Sequence, residues 1–366
     1  MTATDPGTSD SATAAPRGAS PGTDPAWARR SHWGPSQYLA AVGAACVAMQ
    51  AYVWVAWLLA GPTSVTSFRD EGSGSWYLAR VSEGLLVVLL VLVGAWVVRG
   101  CLRERRLTFD AKLCIGGLLT YWCNCLENFV QPLFLYSRNW TNVTDWVQQV
   151  PFHQRAIGPM IDAPVFMIPL YTVGFLLVAM LINIPMRVAR RRWPTISNAR
   201  LIALALAAGV VFDMIFETPY YTLHAWAFPG APHELSLYSG ASRFPFAEYL
   251  IVGAIVFGGI ASLRFFTDDR GRRVGERGLD RYSPAVRRAV SLLAITGFTN
   301  LMLLAISAIQ VVLGAWADPY PQLPLHLNGQ LCDPPGQHAT AYGPCPGSPG
   351  YRVPLGSTNP DVQGPR

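Results

Sequence analysis

Seven apolar runs of about twenty residues each lie between Tyr38 and Leu313. A helix needs about 20 apolar residues to cross the ~30 Å hydrocarbon core of a bilayer. The runs are Tyr38–Ala60, Trp76–Val98, Leu113–Leu135, Ala163–Met186, Leu201–Tyr221, Phe246–Phe266 and Ala289–Leu313. They predict an all-α polytopic membrane protein, a bundle of seven transmembrane helices. Composition agrees, with 51% hydrophobic residues and only 14% charged. Arg80 and Glu83 fall inside the second run and blur its start. Pro132, Pro164, Pro169 and Pro219 are expected to kink or end helices.

Three domains follow from this reading. Residues 1–33 are rich in Ser, Thr, Ala, Gly, Pro and Asp and are expected to be a disordered tail. They are no signal peptide, because the first apolar run starts late and is long. Residues 34–317 form the transmembrane domain, and 318–366 a Pro/Gly-rich, irregular C-terminal tail. Cys46, Cys101, Cys114, Cys123 and Cys125 sit in or beside apolar runs, where cysteine serves as a small packing residue. Cys332 and Cys345 can pair if their tail is extracytoplasmic.

Arginine places the bundle in the membrane. Lys112 is the sole lysine, and a chain this rich in Ala, Gly, Pro and Arg fits an actinobacterial coding bias. Arg103, Arg105 and Arg106, then Arg187 to Arg192, then Arg270 to Arg281 occupy alternate loops, with Arg29 and Arg30 on the same side. The positive-inside rule puts the N-terminus in the cytoplasm and the C-terminus outside, in a multi-pass protein of the cell membrane. The basic loops bear on topology and anionic lipid, not on nucleic acid. Two long outer loops, Tyr136–Asp162 and Thr222–Phe244, carry Trp140, Trp146, His153, Trp226, His233 and Tyr238. Loops of this length usually cover something.

Carboxylates interrupt three of the apolar runs, which is costly in hydrocarbon and usually functional. At 1.5 Å per residue from basic markers, Glu127 lies about 22 Å up, Glu217 about 26 Å and Glu248 about 24 Å. Asn300 and Asp213 come at about 18 and 20 Å. Asn124, Glu127, Asn128 and Gln131 follow an i, i+3, i+4, i+7 pattern and are expected on one helix face. Asp213, Glu217, Tyr220 and His224 form a second such stripe, with Tyr221 beside it. Both should turn inward, giving a polar pocket in the outer half of the bundle.

Bland alternatives stand beside this. The asparagines and Gln131 serve equally as interhelical hydrogen-bond glue. Glu248 can be solvated at the interface. Arg138, Arg155 or Arg243 can pair with the carboxylates, and the histidines can be ordinary loop residues. No metal motif is present. The last run has no lysine, which excludes a retinal protein. No phosphate-cradling, dinucleotide, zinc-protease or serine-hydrolase motif occurs in a suitable place. Clustered carboxylates in a low dielectric can divide into one general acid and one ionised neighbour. That suits dehydration or cyclisation of an apolar substrate arriving from the lipid, and also proton-coupled transport. A non-catalytic scaffold is a third reading.

The run Cys125-Leu-Glu-Asn-Phe-Val-Gln-Pro-Leu-Phe-Leu-Tyr136 with Asn139-Trp140, the run Phe212-Asp-Met-Ile-Phe-Glu217, and Phe244-Pro-Phe-Ala-Glu248 resemble the spirocyclase AveC family of actinobacterial membrane proteins. The resemblance extends from about Tyr38 to Leu313. It implies a membrane-embedded, cofactor-independent cyclase or dehydratase of secondary metabolism; the family's founding member dehydrates and forms a spiroketal in avermectin biosynthesis. Under it, Glu217 is expected to be the general acid, with Asp213 or Glu127 ionised beside the developing cation. Asn128 and Tyr220 or Tyr221 would orient hydroxyls, with Asn124, Gln131, His224, Glu248 and Asn300 completing the substrate site.

Overall fold

A computed structural model describes residues 33–129, 132–153, 160–314, 318 and 320–328. Gln131, Arg155, Cys332, Cys345 and nearly all of both expected tails lie outside these residues.

The described residues are mostly helical. Helix α1 covers Pro35–Ala60 and α2 Gly74–Glu104. Helix α3, Phe109–Leu118, is followed by a 3-10 helix, Tyr121–Asn128. Helix α4, Pro164–Pro169, passes through a π turn at Leu170–Gly174 into α5, Phe175–Arg192. After α6, Asn198–Thr222, a π helix at Glu248–Gly258 runs into α7, Gly259–Phe265. Helix α8 is Pro284–Gly314 and α9 is Leu325–Asn328. Hydroxyl caps start several of them: Ser73 accepts from the Trp76 N–H, Thr108 from Ala111 and Ser197 from Arg200. Each such cap is worth ~1 kcal/mol.

Six helical spans are long and apolar enough to cross a membrane: Pro35–Ala60, Gly74–Glu104, Pro164–Arg192, Asn198–Thr222, Glu248–Phe265 and Pro284–Val312. The run expected as one straight helix over Leu113–Leu135 is broken instead. It leaves α geometry at Leu119–Thr120, tightens into the 3-10 helix and reaches a short strand, β1, Leu135–Tyr136. Asn300 of α8 holds the break. Its amide donates to the Leu119 carbonyl at 3.1 Å and to Thr120 Oγ1 at 3.1 Å, and its oxygen accepts from Trp122 Nε1 at 2.8 Å. Freed carbonyls and an indole N–H are thereby satisfied where water is scarce.

Two close helix crossings shape the bundle. Gly43 of α1 faces Gly297 of α8; a Cβ on either would fall on a carbonyl oxygen, that of Leu293 or Leu39. Gly209 of α6 meets Gly253 of the π helix in the same way, and Asp213 Cβ lies close beside Gly253. Small residues at crossings let backbones approach and gain dispersion energy, which drives helix association in lipid.

The basic loops gather at one end of the bundle. There Arg264 forks onto Asp110 at 3.0 and 3.1 Å and donates to Asn183 Oδ1. The opposite end is roofed by the long loops. Strand β1 pairs antiparallel with β4, Trp226–Ala227; β2, Val143–Thr144, pairs with β3, Ile161–Asp162; β5, Ser236–Leu237, pairs with β6, Phe244–Pro245. Arg80 and Glu83, which blurred α2 in the sequence, dock this roof. They pair at 3.0 Å, and Glu83 accepts from the Thr141 N–H at 2.7 Å. Asn139 and Asn142 are buried there and hydrogen-bonded to the Asp70 and Val65 N–H groups. The start of the C-terminal tail, expected to be irregular, belongs to the roof too. Tyr320, Leu323 and Leu327 pack on Leu135, Met160 and Ala227, and the Arg138 N–H donates to the His326 carbonyl at 2.8 Å.

Candidate functional site

A cavity of about 80 Å³ opens beneath the roof, between the 3-10 helix, the π turn, α6 and the π helix. Glu127, Glu217 and Glu248 all line it. No lysine or arginine does so among the described residues. Apart from Asn124, Tyr136 and Tyr171 the remaining wall is apolar and aromatic, including Phe134, Phe175, Phe216, Trp226 and Phe257.

Local helix geometry explains which predicted residues arrive. In a 3-10 helix residues three apart eclipse. Asn124 and Glu127 therefore share the cavity wall, while Asn128, one further on, turns away and its oxygen accepts from the Phe134 N–H at 2.9 Å. The one-face expectation for that stripe assumed α geometry, and the tighter winding divides it. Glu248 opens the π helix and accepts a hydrogen bond from the Gln310 amide of α8.

The second stripe also divides. Glu217 reaches the cavity. Asp213, fully buried, does not line it; it packs against Gly253, and neither oxygen has a hydrogen-bond partner. Tyr220 lies over Trp226 with ring centres 4.2 Å apart, and its hydroxyl meets Ser82 at 2.9 Å. Tyr221 stacks on Phe244 at 4.3 Å. His224 sits beyond the helix end at φ 57° and bonds Ser242. Tyr220, Tyr221, His224 and Asn300 thus support the site's walls and roof without lining the cavity.

Sequence reasoning missed a buried acid. Asp162 of β3 accepts from Tyr121 Oη at 2.5 Å and from the Asn124 amide at 2.5 Å. Asn124 also meets Tyr136 Oη at 3.1 Å and accepts from Tyr171 Oη at 3.3 Å. Tyr136 and Tyr171 both line the cavity, Tyr171 from within the π turn. Burial pushes the Asp162 carboxyl up to about 6, against the pull of these two hydrogen bonds. Burial and the neighbouring Asp162 push Asp145 up to about 8. Both acids sit in a loop that reads as solvated, without periodicity; the only cue was Asp162 standing two residues before a proline that starts a helix.

Two of the arginines named as alternative partners, Arg138 and Arg243, are engaged elsewhere, and Arg155 lies outside the described residues. Arg243 pairs with Asp318 at 3.3 Å, and Arg138 donates to Ser67. His153 bonds the Phe129 carbonyl at 2.7 Å. His233, Glu234 and Asp318 stand close enough to share an ion, but outside the cavity lining, and Asp318 already accepts from the His233 backbone and ring and from Arg243.

The family model for spirocyclase AveC-like proteins matches residues 104–324, more than half of the chain and all of the cavity's lining. The chain belongs to that family. No curated protein and no solved structure matches it. The match begins at the end of α2 and ends within the folded start of the tail, so it takes in every residue that lines the cavity and most of the roof above it. Family membership points to a cyclase- or dehydratase-type role.

Proposed function

We propose that this chain is a membrane-embedded, acid-catalysed cyclase or dehydratase that closes an apolar hydroxyketone, from a polyketide- or lipid-like precursor, into a spiroketal or a dehydrated ring. The observation that carries this reading is the convergence of Glu127, Glu217 and Glu248 on one apolar cavity with tyrosine hydroxyls in its wall.

Ketal formation is redox-neutral and needs only groups that give and take protons. A hydroxyl adds to the ketone to give a hemiketal. Glu217 protonates the hemiketal hydroxyl, which leaves as water and forms an oxocarbenium ion. Glu127 or Glu248, ionised, stabilises that cation. The second hydroxyl then captures it, and its proton returns to the cluster, so the net change is loss of one water. Carboxyls facing one cavity can divide these tasks, one protonated and one ionised. Asn124, Tyr136 and Tyr171 orient the substrate hydroxyls. Asp213 acts behind the wall rather than on substrate.

The basic loops face the cytoplasm on this reading and the roof faces outward, by the positive-inside rule. Substrate enters from the lipid.

The test compares a host deletion strain complemented with wild type, Glu217→Gln or Glu248→Gln. Removing a general acid or base costs about 10²–10⁴-fold. The cyclised product should vanish in the deletion and the Gln variants, with a precursor heavier by one water accumulating. A normal product level with either variant, present in the membrane at wild-type abundance, overturns that residue's role. An unchanged inventory with an altered inside-to-outside distribution would instead establish transport.

A further inference from the structure

At the bundle end remote from the roof lies a second, larger cavity of about 680 Å³. Its lining includes Arg106, Lys112, Arg270, Arg272, Arg287 and Arg288 against two acids, Glu276 and Asp280. We infer that this cavity is a binding site for a phosphate group, independent of the carboxylate cavity and of the reaction proposed for it.

The site is built rather than accidental. Its floor is Lys112, the chain's sole lysine, buried at 6% exposure. The ammonium donates to Glu276 Oε1 at 2.6 Å and to Ser291 Oγ at 2.8 Å. Its third N–H has no partner among the described residues. The arginine loop is pinned in place. Ser36 of α1 donates to the carbonyls of Val274 and Arg277, and Arg273 lies over the Phe109 ring at 4.2 Å. Asp280 holds Arg270 and Arg272 together at 3.4 and 2.6 Å.

Charge placement supplies the second argument. Arg287 and Arg288 fall at the start of α8, whose first turn contains no acid. A helix N-terminus carries partial positive charge and favours anions. Arg287 and Arg288 add two guanidinium groups at that helix end, both on the cavity lining. A phosphate at this place would meet a helix N-terminus, two or more guanidinium forks and a buried ammonium, the groups that recognise phosphate elsewhere.

The phosphate can come from an anionic phospholipid headgroup or from a soluble phosphorylated molecule. Purified protein would be titrated in detergent with inorganic phosphate, and with vesicles of phosphatidylglycerol or of phosphatidylcholine, reading the unfolding temperature and direct binding. The pocket variant is Arg287→Gln with Arg288→Gln. The control is Arg191→Gln with Arg192→Gln, exposed cations that do not line the cavity. Losing two guanidinium contacts to the phosphate, the pocket variant should bind the probe at least tenfold more weakly, and the control, whose cations do not line the cavity, much less so. Saturable binding of inorganic phosphate, lost in the pocket variant, would assign a soluble ligand. Binding of phosphatidylglycerol alone, lost in the same variant, would assign a lipid. Equal losses in both variants would mean diffuse surface attraction and overturn the site, as would no binding of either probe to wild type.

Discussion

Replacing Asp145 with asparagine should make the protein more stable near neutral pH, although it removes a buried, hydrogen-bonded carboxyl. Asp145 is 4% exposed, and burial together with Asp162 pushes it from its ordinary 3.8 to about 8. Between those values the native state keeps a proton that the unfolded chain has released. Stability is then full below about pH 4, falls as pH rises, and stops falling above about pH 8. At ~1.4 kcal/mol per pH unit, the group costs about 4 kcal/mol at pH 7. Asparagine is neutral in both states, and its oxygen can still accept from the Val147 N–H, 3.3 Å from Asp145 Oδ1. The variant should gain a substantial part of that 4 kcal/mol at pH 7 and little near pH 4. Thermal unfolding in detergent at pH 5, 6, 7 and 8, followed by tryptophan emission, reads the difference, since Trp146 is the adjacent residue and is buried. Wild-type Tm should fall across the series, and the variant's should fall less. Parallel curves for the two proteins, or a wild-type Tm that rises with pH, would refute the reasoning.

Asp162→Asn exchanges one accepting oxygen for a donor between Tyr121 and Asn124, so product formation should drop at least tenfold while the amount of folded protein in membranes holds; equal activity per folded molecule would remove Asp162 from the site's support. Tyr171→Phe deletes a cavity hydroxyl without changing shape and should lower turnover by a few-fold, read by the same product assay with Tm as control. Gly297→Val drives a side chain into the Leu39 carbonyl across the α1–α8 crossing and should cost about 3 kcal/mol or abolish folding, seen as lost monodisperse protein on size exclusion, whereas Gly94→Val, with open space around it, should be tolerated.

Much of the architecture was legible because a membrane leaves the chain few choices. Long apolar runs become helices: the expected limits of α1 and α6 fall within three residues of the observed ones, and those of α2, α8 and the span from α4 through α5 within six. The convergence of Glu127, Glu217 and Glu248 was approached by counting up from basic markers, Lys112 among them, at a fixed rise of about 1.5 Å; the 3-10 helix at Glu127 and the π helix at Glu248 depart from that rise without taking either residue out of the cavity. Angular position was harder to read. Asn128 turned away because its helix winds three residues to the turn, and nothing local in Cys123-Asn-Cys-Leu-Glu-Asn128 announces that choice. Asn300, 172 positions beyond Asn128, holds it in place. Asp145 and Asp162 were missed for a related reason. Their burial depends on two loops folding over the bundle, and loop sequence carries no periodicity from which burial can be inferred. The aromatic density of those loops did signal a cover, and Trp140 and Trp146 form its buried interior.

The π helix at Glu248–Gly258 can be unwound without touching the residues it presents. An i→i+5 ladder accommodates one more residue than an α-helical ladder over the same height. The segment is thus a membrane helix holding a surplus residue, and Glu248 stands at its first position. Deleting a single apolar residue such as Leu250 or Ile251 should relax the segment to ordinary winding and leave α7 and its Arg264–Asp110 pair in register. With the surplus gone, an ordinary ladder fills the same height and Glu248 keeps its place on the cavity wall. One codon lost, with no polar residue touched, would remove the wide winding and spare the carboxylate.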